Sequence, residues 1–228
     1  MQTTDMRRYL LGFYKKGNMR FISHLDLQRF FQRAVNRTGL PIAWSQGFNP
    51  HPVMSFGSAL ALGWTSDYEV IDIKLSAPMG RKRTEDAVRA ALPEDLPVLE
   101  VRMVDDRHPA PMAQVKMSDY QVSLEGEGSA AVIGMIPAFL EREAVMAVKK
   151  TKSGEKEINA RPLVLALEPL EDGFNARLKL TEQESMKPDL LIALLAGMAG
   201  VEAPEARIHR VALLGEDADG QLKPLMEL

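Results

Sequence analysis

The chain has 228 residues, of which 46% are hydrophobic and 26% are charged. This composition is typical of a globular protein and excludes an intrinsically disordered chain. At this length we expect two domains of about 100 residues each. The absence of cysteine excludes disulfides, thiolate nucleophiles and cysteine-held zinc or iron–sulfur centres within this chain.

Positive charge is concentrated at the start of the sequence. The net charge is −3, but residues 1–52 contain eight Lys/Arg and two acids and carry +6, while the other 176 residues carry −9. No stretch approaches the roughly 20 apolar residues that span a bilayer, and the first residues lack the apolar run of a signal peptide. We therefore expect a cytoplasmic protein with no membrane contact.

The first half predicts the element order β-α-β-β-α-β. A strand is predicted over 7–17, and an amphipathic helix from Ser23, because apolar residues then recur at the helical period. Gly39 and Pro41 mark the end of that helix. A second helix is predicted over 80–92, and the remaining predicted strands are 42–45, 51–62, 68–77 and 96–106. Thr84 is the predicted N-cap of the second helix.

The second half repeats this order after a proline-containing linker at 107–113. It predicts a strand at 119–126, a helix at 129–141 interrupted at Pro137, hairpins around Ser153-Gly154 and Asp172-Gly173, a helix from Pro188 and a strand at 206–215. The predicted fold class is α+β, with two tandem ferredoxin-like (β-α-β-β-α-β) units over 1–106 and 114–228. No sequence repeat links the halves, so this prediction depends on element order alone.

The first predicted helix has a basic face opposite its apolar stripe. Arg29, Arg33 and Arg37 follow Asp26 at i+3, i+7 and i+11, so the three arginines share one side. Guanidinium groups bind phosphate bidentately, which suits an RNA backbone or a phosphorylated ligand. The alternative is a solvated helix face with an ordinary Asp26–Arg29 pair.

The segment WSQGFNPHP at 44–52 predicts a rigid loop that displays polar groups. Glycine and proline restrict its backbone, and Trp44 and Phe48 either anchor the loop or stack on a base. The candidate binding residues of this loop are Ser45, Gln46, Phe48, Asn49 and His51.

Two histidines are candidate catalytic residues. His24 and His51 would form an acid–base pair for RNA cleavage, or two metal ligands, if the loop folds over the start of the helix. Alternatively, His24 caps the helix and His51 hydrogen-bonds the loop backbone. We predict no resident metal or cofactor, because the signatures of the common nucleotide and metal sites are missing.

A second cationic segment lies at 149–162. Its candidate phosphate-binding residues are Lys150, Lys152, Lys156 and Arg161 on a predicted hairpin. Lysines on exposed strands also keep sheet edges from associating, so a purely structural role stays open.

Residues 15–75 and 149–163 closely resemble a bacterial family of unknown function called radical SAM-associated, found beside or fused to cobalamin-binding radical SAM proteins. The resemblance implies a separate radical SAM partner that holds the iron–sulfur cluster, and a link to RNA metabolism and ribosomal genes. It transfers no catalytic residues. A looser similarity is to the CRISPR RNA-processing endonucleases, which also pair two ferredoxin-like domains and sometimes use a histidine near a first helix; it is an analogy of fold, which does not determine function.

These observations favour an accessory module that presents tRNA, rRNA or a ribosomal component to the radical SAM partner. One alternative is a metal-independent RNA-processing or RNA-modifying enzyme that uses His24 and His51. The other is a protein-interaction scaffold that uses the same helix to dock its partner.

Overall fold

The computed structural model describes residues 7–151 and 154–228 and has a mixed α+β architecture. The chain divides into two compact units, Met1–Val115 with Ala212–Leu228, and Lys116–Val211. The carboxyl-terminal segment therefore belongs to the first unit, whereas the predicted second domain extended from 114 to 228. Within the described ranges, no helix is both long enough and apolar enough to cross a membrane.

The first unit has an antiparallel sheet with helices between its strands. Strand β1 pairs with both β3 and β4, and β2 pairs with β3, so these four strands lie in the order β4-β1-β3-β2. The elements are β1 (Arg8–Lys15), α1 (His24–Arg37), β2 (Met54–Phe56), β3 (Thr65–Lys74), α2 (Arg81–Ala91), β4 (Val98–Val104) and α3 (Pro111–Gln114). The predicted strand at 42–45 is reduced to isolated bridges, Ile42 with Leu75 and Trp44 with Pro52.

Helix α1 begins and packs as its sequence predicts. The Ser23 hydroxyl accepts a hydrogen bond from the Asp26 amide at 3.2 Å and caps the helix. The buried residues of α1 are Leu27, Phe31, Ala34 and Val35. The ring of Phe31 lies 5.0 Å from that of Phe13 and 5.5 Å from that of Phe56, between centroids. This aromatic cluster holds the apolar face of α1 against the core, so its other face is exposed.

The structure corrects the predicted start of α2 and shows a short helix in the predicted linker. Gly80 is the N-cap of α2, and Thr84 is a buried residue inside the helix whose hydroxyl donates to the Gly80 carbonyl at 3.3 Å. The predicted linker contains helix α3, with Pro111 buried at its start. The Arg8 guanidinium donates to the His108 carbonyl, which attaches this segment to β1. Pro111 begins this short helix, and the boundary between the two units follows it after Val115.

The second unit has the strand order β10-β5-β9-β8 and a separate β6-β7 hairpin. Its elements are β5 (Met117–Glu125), α4 (Ser129–Gly134), α5 (Ile136–Leu140), β6 (Met146–Thr151), β7 (Gly154–Asn159), β8 (Val164–Leu170), β9 (Gly173–Lys179), α6 (Pro188–Ala199) and β10 (Glu205–Glu216). The helix predicted over 129–141 breaks at Met135, with Pro137 in the first turn of α5, and Pro188 begins α6, as predicted. Strand β10 continues past Val211 into the first unit, where it pairs with β11 (Leu222–Pro224), an element that the sequence did not predict.

Candidate nucleic-acid interface

A cleft of about 460 Å³ lies between α1 and the loop that follows it. Its lining combines one arginine, several amides, one imidazole and a tryptophan. These residues are Gln28, Gln32, Arg33, Asn36, Trp44, Asn49, Pro50, His51 and Pro52. The basic helix and the polar loop, which the sequence presented as separate candidates, thus border the same cleft.

The helix contributes two neighbouring rows of side chains. Gln28, Gln32 and Asn36 are spaced at i, i+4 and i+8 and line the cleft. The arginines occupy the adjacent row at the same spacing, and of these Arg33 lines the cleft. Sequence reasoning missed the amide row, although its spacing of four was visible beside the arginines.

The three arginines differ in their contacts. Arg29 forms an exposed ion pair with Asp26 at 3.1 Å. Hydrogen bonds from Ser23 and then from Arg29 hold the pKa of Asp26 below its usual value. Arg37 donates to the carbonyl of Ala91 at 3.3 Å, at the end of α2. The three arginines therefore lie in one row of the helix, but each has a different set of contacts.

The loop is a short hairpin held by main-chain and side-chain hydrogen bonds. The Ser45 amide donates to the His51 carbonyl at 2.8 Å, and the Val53 amide donates to the Ala43 carbonyl at 2.9 Å. The His51 amide in turn donates to the Ser45 hydroxyl at 3.1 Å. Residues 46–50 form the tip, where Gly47 has a φ of 130° that other residues rarely adopt.

The hairpin is attached to the end of strand β3. The Ala43 amide donates to the Lys74 carbonyl at 2.9 Å, and the Lys74 amide donates to the Val53 carbonyl at 3.0 Å. Since α1 is anchored to the same sheet through its apolar face, both walls of the cleft depend on one buried frame.

The His51 ring is oriented by its neighbours. Its Nδ1 lies 3.0 Å from the Ser45 hydroxyl and 3.2 Å from the Asn49 carbonyl oxygen. A carbonyl can only accept, so the contact with Asn49 favours the proton on Nδ1. In that tautomer, Nε2 is the ring nitrogen that accepts hydrogen bonds.

Two aromatic side chains of the hairpin are exposed. Trp44 is 48% exposed and lines the cleft, and Phe48 is fully exposed at the tip. Neither ring belongs to the buried core. The alternative prediction, that both rings anchor the loop, therefore does not hold for Phe48.

His24 occupies a different environment from His51. It is the first residue of α1, and its ring packs edge-on against Phe56 with 5.2 Å between centroids. His24 is not among the residues that line the cleft. Among the described residues there is also no group of three or more metal-binding side chains positioned to hold an ion.

The cationic hairpin of the second unit has two described lysines in a pocket of about 430 Å³, Lys149 and Lys156. The Lys149 ammonium donates to the carbonyl and to the hydroxyl of Ser185, both at 2.8 Å. Burial, followed by the charges of Lys187 and Lys156, lowers the pKa of Lys149. Glu157 and Glu184 line the same pocket, so its charge is mixed.

The other predicted phosphate-binding residues of this segment are Lys150, Lys152 and Arg161. Lys152 and the side chain of Lys150 lie outside the described residues. The Arg161 guanidinium donates to the carbonyls of Leu140 and Val164, at 3.2 and 3.0 Å, and lies over the Phe139 ring at 5.9 Å. Arg161 therefore joins segments of the second unit, and its assignment as a binding residue stays a prediction.

The chain belongs to the family of uncharacterized proteins conserved in bacteria designated DUF2344, whose model matches residues 8–189. No curated protein matches the chain. A chain of the solved structure titled "Crystal Structure of a Cbf5-Nop10-Gar1 Complex" is similar in fold, with a TM-score of 0.51 and 13% sequence identity. The similarity covers 95% of this chain and 60% of that chain.

Proposed function

We propose that this protein is an accessory RNA-binding module that presents RNA or a ribosomal substrate to a separate radical SAM partner. The observation that supports it best is the common cleft, in which Arg33 of the basic helix and Asn49 and His51 of the polar loop are neighbours. A cation beside several amides is suited to a polyanion that also carries hydrogen-bonding groups.

Charge supports RNA over an uncharged ligand. Residues 1–52, which contain the whole cleft, carry +6 in a chain of net charge −3. Phosphate contacts from arginine supply sequence-independent affinity, because binding releases counterions from the nucleic acid. The amides and His51 add donors and acceptors that a purely electrostatic surface lacks.

Two observations support the accessory role: the absence of cysteine from this chain and the family that it resembles. Without cysteine it has no thiolates to hold an iron–sulfur cluster. The resemblance to the radical SAM-associated family supplies the identity of the proposed partner.

We also propose that both units are ferredoxin-like. The first unit has the order β4-β1-β3-β2, which is the fourth, first, third and second of its main strands. The second unit has β10-β5-β9-β8, which is the same order once the β6-β7 hairpin is treated as an insertion.

Binding of the purified protein to cellular RNA over a range of salt concentrations tests the proposal. We expect Arg33→Gln to weaken binding by about tenfold and to reduce the slope of log affinity against log salt by about 0.7 to 1. The matched control is Arg83→Gln, which removes the same charge from an exposed position on α2. An equal loss of RNA affinity in both variants, or no loss of affinity in Arg33→Gln, would contradict a specific role for the cleft.

The partner is tested separately by affinity purification of the tagged chain under anaerobic conditions, followed by assay of iron and sulfide in the eluate. We expect the eluate to contain an iron–sulfur protein in stoichiometric amount. An eluate free of iron would contradict the presenting role and leave RNA binding unaffected.

A second candidate function, RNA processing, is favoured by one observation, the position of the His51 imidazole in the lining of the amide-rich cleft, with its Nδ1 in contact with the Asn49 carbonyl. It predicts that the purified chain alone cleaves bound RNA and that His51→Gln abolishes the cleavage. With His24 packed against Phe56, this function would depend on a single histidine rather than on the proposed pair. Intact RNA after prolonged incubation at saturating protein would exclude it.

A further inference from the structure

We infer that the cleft binds an unpaired nucleotide of single-stranded RNA, with its base in the cleft and a neighbouring base stacked on Phe48. This inference depends on the proposed RNA-binding function and specifies the form of RNA that the site accepts. It rests on the chemistry of the cleft wall, on the exposed aromatic rings and on the rigidity of the hairpin.

The amide row is suited to base edges. Each side chain of Gln28, Gln32 and Asn36 offers two donors and one acceptor, which matches the mixed donor and acceptor pattern of a Watson–Crick edge. In duplex RNA those edges are paired, and the deep, narrow major groove excludes side chains. A wall built from amides therefore has useful partners only when the base is unpaired.

The dimensions of the cleft fit a small occupant. Its volume of about 460 Å³ lies within the range of about 300–1,000 Å³ that is typical of small-molecule sites. A cleft of this size, open to solvent, accommodates one nucleotide and leaves Arg33 to contact the adjoining phosphate. A duplex would instead require an extended surface across two grooves.

The aromatic rings provide stacking surfaces on the same hairpin. Phe48 is fully exposed, and Trp44, four residues before it, is 48% exposed at the cleft wall. Single exposed apolar residues are common on protein surfaces, but two large rings on one hairpin beside a basic helix form a stacking platform. Such platforms bind bases of any identity, because every base has an aromatic face.

The hairpin holds Phe48 in place before RNA arrives. Ser45 and His51 exchange main-chain and side-chain hydrogen bonds across the base of the tip, and Gly47 provides the turn. A preformed tip loses little conformational entropy when a base stacks on it, so the gain from stacking is retained as affinity.

The test compares a short single-stranded RNA with a hairpin duplex of the same composition by fluorescence anisotropy. We expect the single strand to bind at least tenfold more tightly. Phe48→Ala should weaken single-strand binding by about tenfold and leave duplex binding unchanged. Leu62→Ala is the matched control, since it removes an exposed apolar side chain, 61% exposed, that does not line the cleft.

Tryptophan fluorescence gives a second, independent measurement. We expect single-stranded RNA to quench the emission of the wild-type protein, and the quenching to be lost in Trp44→Phe. This readout remains informative if Phe48→Ala folds poorly.

The outcomes separate the inference from the proposed function. Equal affinity for both RNAs, together with unchanged binding by Phe48→Ala, would overturn the base-binding site while salt-dependent binding through Arg33 stands. A preference for single-stranded RNA would also overturn the inference if Phe48→Ala kept the wild-type affinity and Trp44→Phe kept the wild-type quenching. No binding to either RNA at low salt would overturn both the inference and the proposed function.

Discussion

The side chain of Ser45 offers a direct test of whether the rigidity of the hairpin matters for binding. Its hydroxyl accepts a hydrogen bond from the His51 amide at 3.1 Å and lies 3.0 Å from His51 Nδ1. Ser45→Ala removes both contacts and keeps the main-chain bond from the Ser45 amide to the His51 carbonyl. The substitution therefore loosens the tip without removing the hairpin.

The magnitude follows from the two lost hydrogen bonds. Each contributes a net stabilisation of about 0.5–1.5 kcal/mol, and the exposure of His51 allows water to replace part of it. We expect the loss to appear as local opening of the loop, with a change of less than about 1 kcal/mol in the global free energy of unfolding. The affinity for single-stranded RNA should fall about fivefold, since the bound form must now order the tip.

Three measurements on Ser45→Ala distinguish these effects. Hydrogen exchange of the His51 amide should accelerate, urea denaturation should change little, and anisotropy should report the weaker RNA binding. Ser45→Thr retains the hydroxyl and is the rescue control. Faster exchange with unchanged affinity would refute the link between rigidity and binding, and unchanged exchange would refute the role of the Ser45 hydroxyl itself.

Two further predictions concern the fold. A Cβ on Gly173 would lie 1.8 Å from the Val122 carbonyl oxygen, so Gly173→Ala should lower the free energy of unfolding, measured in urea, by about 3 kcal/mol or more. Gly197→Ala is the control, because a Cβ there meets nothing within 4 Å, and we expect it to raise the free energy of unfolding by about 0.5–1 kcal/mol through helix propensity. Equal stability of the two variants would contradict the β5–β9 register. Because the folded pKa of Asp26 is lowered, its stabilising effect is present above the unfolded pKa and is lost as pH falls through the folded value. Asp26→Asn should thus be less stable than wild type at neutral pH and equally stable in acid below the folded pKa, as measured by urea denaturation, and a difference that persists in acid would contradict the hydrogen-bond assignment.

The sequence predicted elements whose signals are local. Ser23 and the apolar stripe of α1 determine where the helix begins and which face is buried, and the structure confirms both. Pro137 and Pro188 act through their own backbone geometry, so the helix break and the helix start were also predictable.

Features that depend on contacts distant in sequence were not predictable. Whether the amide row or the arginine row of α1 faces the loop depends on how the helix is rotated on the sheet, which the helical period leaves open. The position of His24 outside the cleft lining has the same origin. Strand β11 returns to pair with β10 in the first unit, with Leu214 opposite Pro224, and no local pattern indicates that pairing.

The residues that shape the cleft are different from the residues that would contact a ligand. Its frame consists of buried aromatic rings such as Phe31 and of main-chain bonds between the hairpin and Lys74, none of which requires a charged side chain. Its outward groups, Arg33 and Phe48, are exposed, so their replacement leaves the frame intact. Substitutions at these outward positions therefore report on binding with little interference from stability, and a loss of binding in them can be attributed to the site.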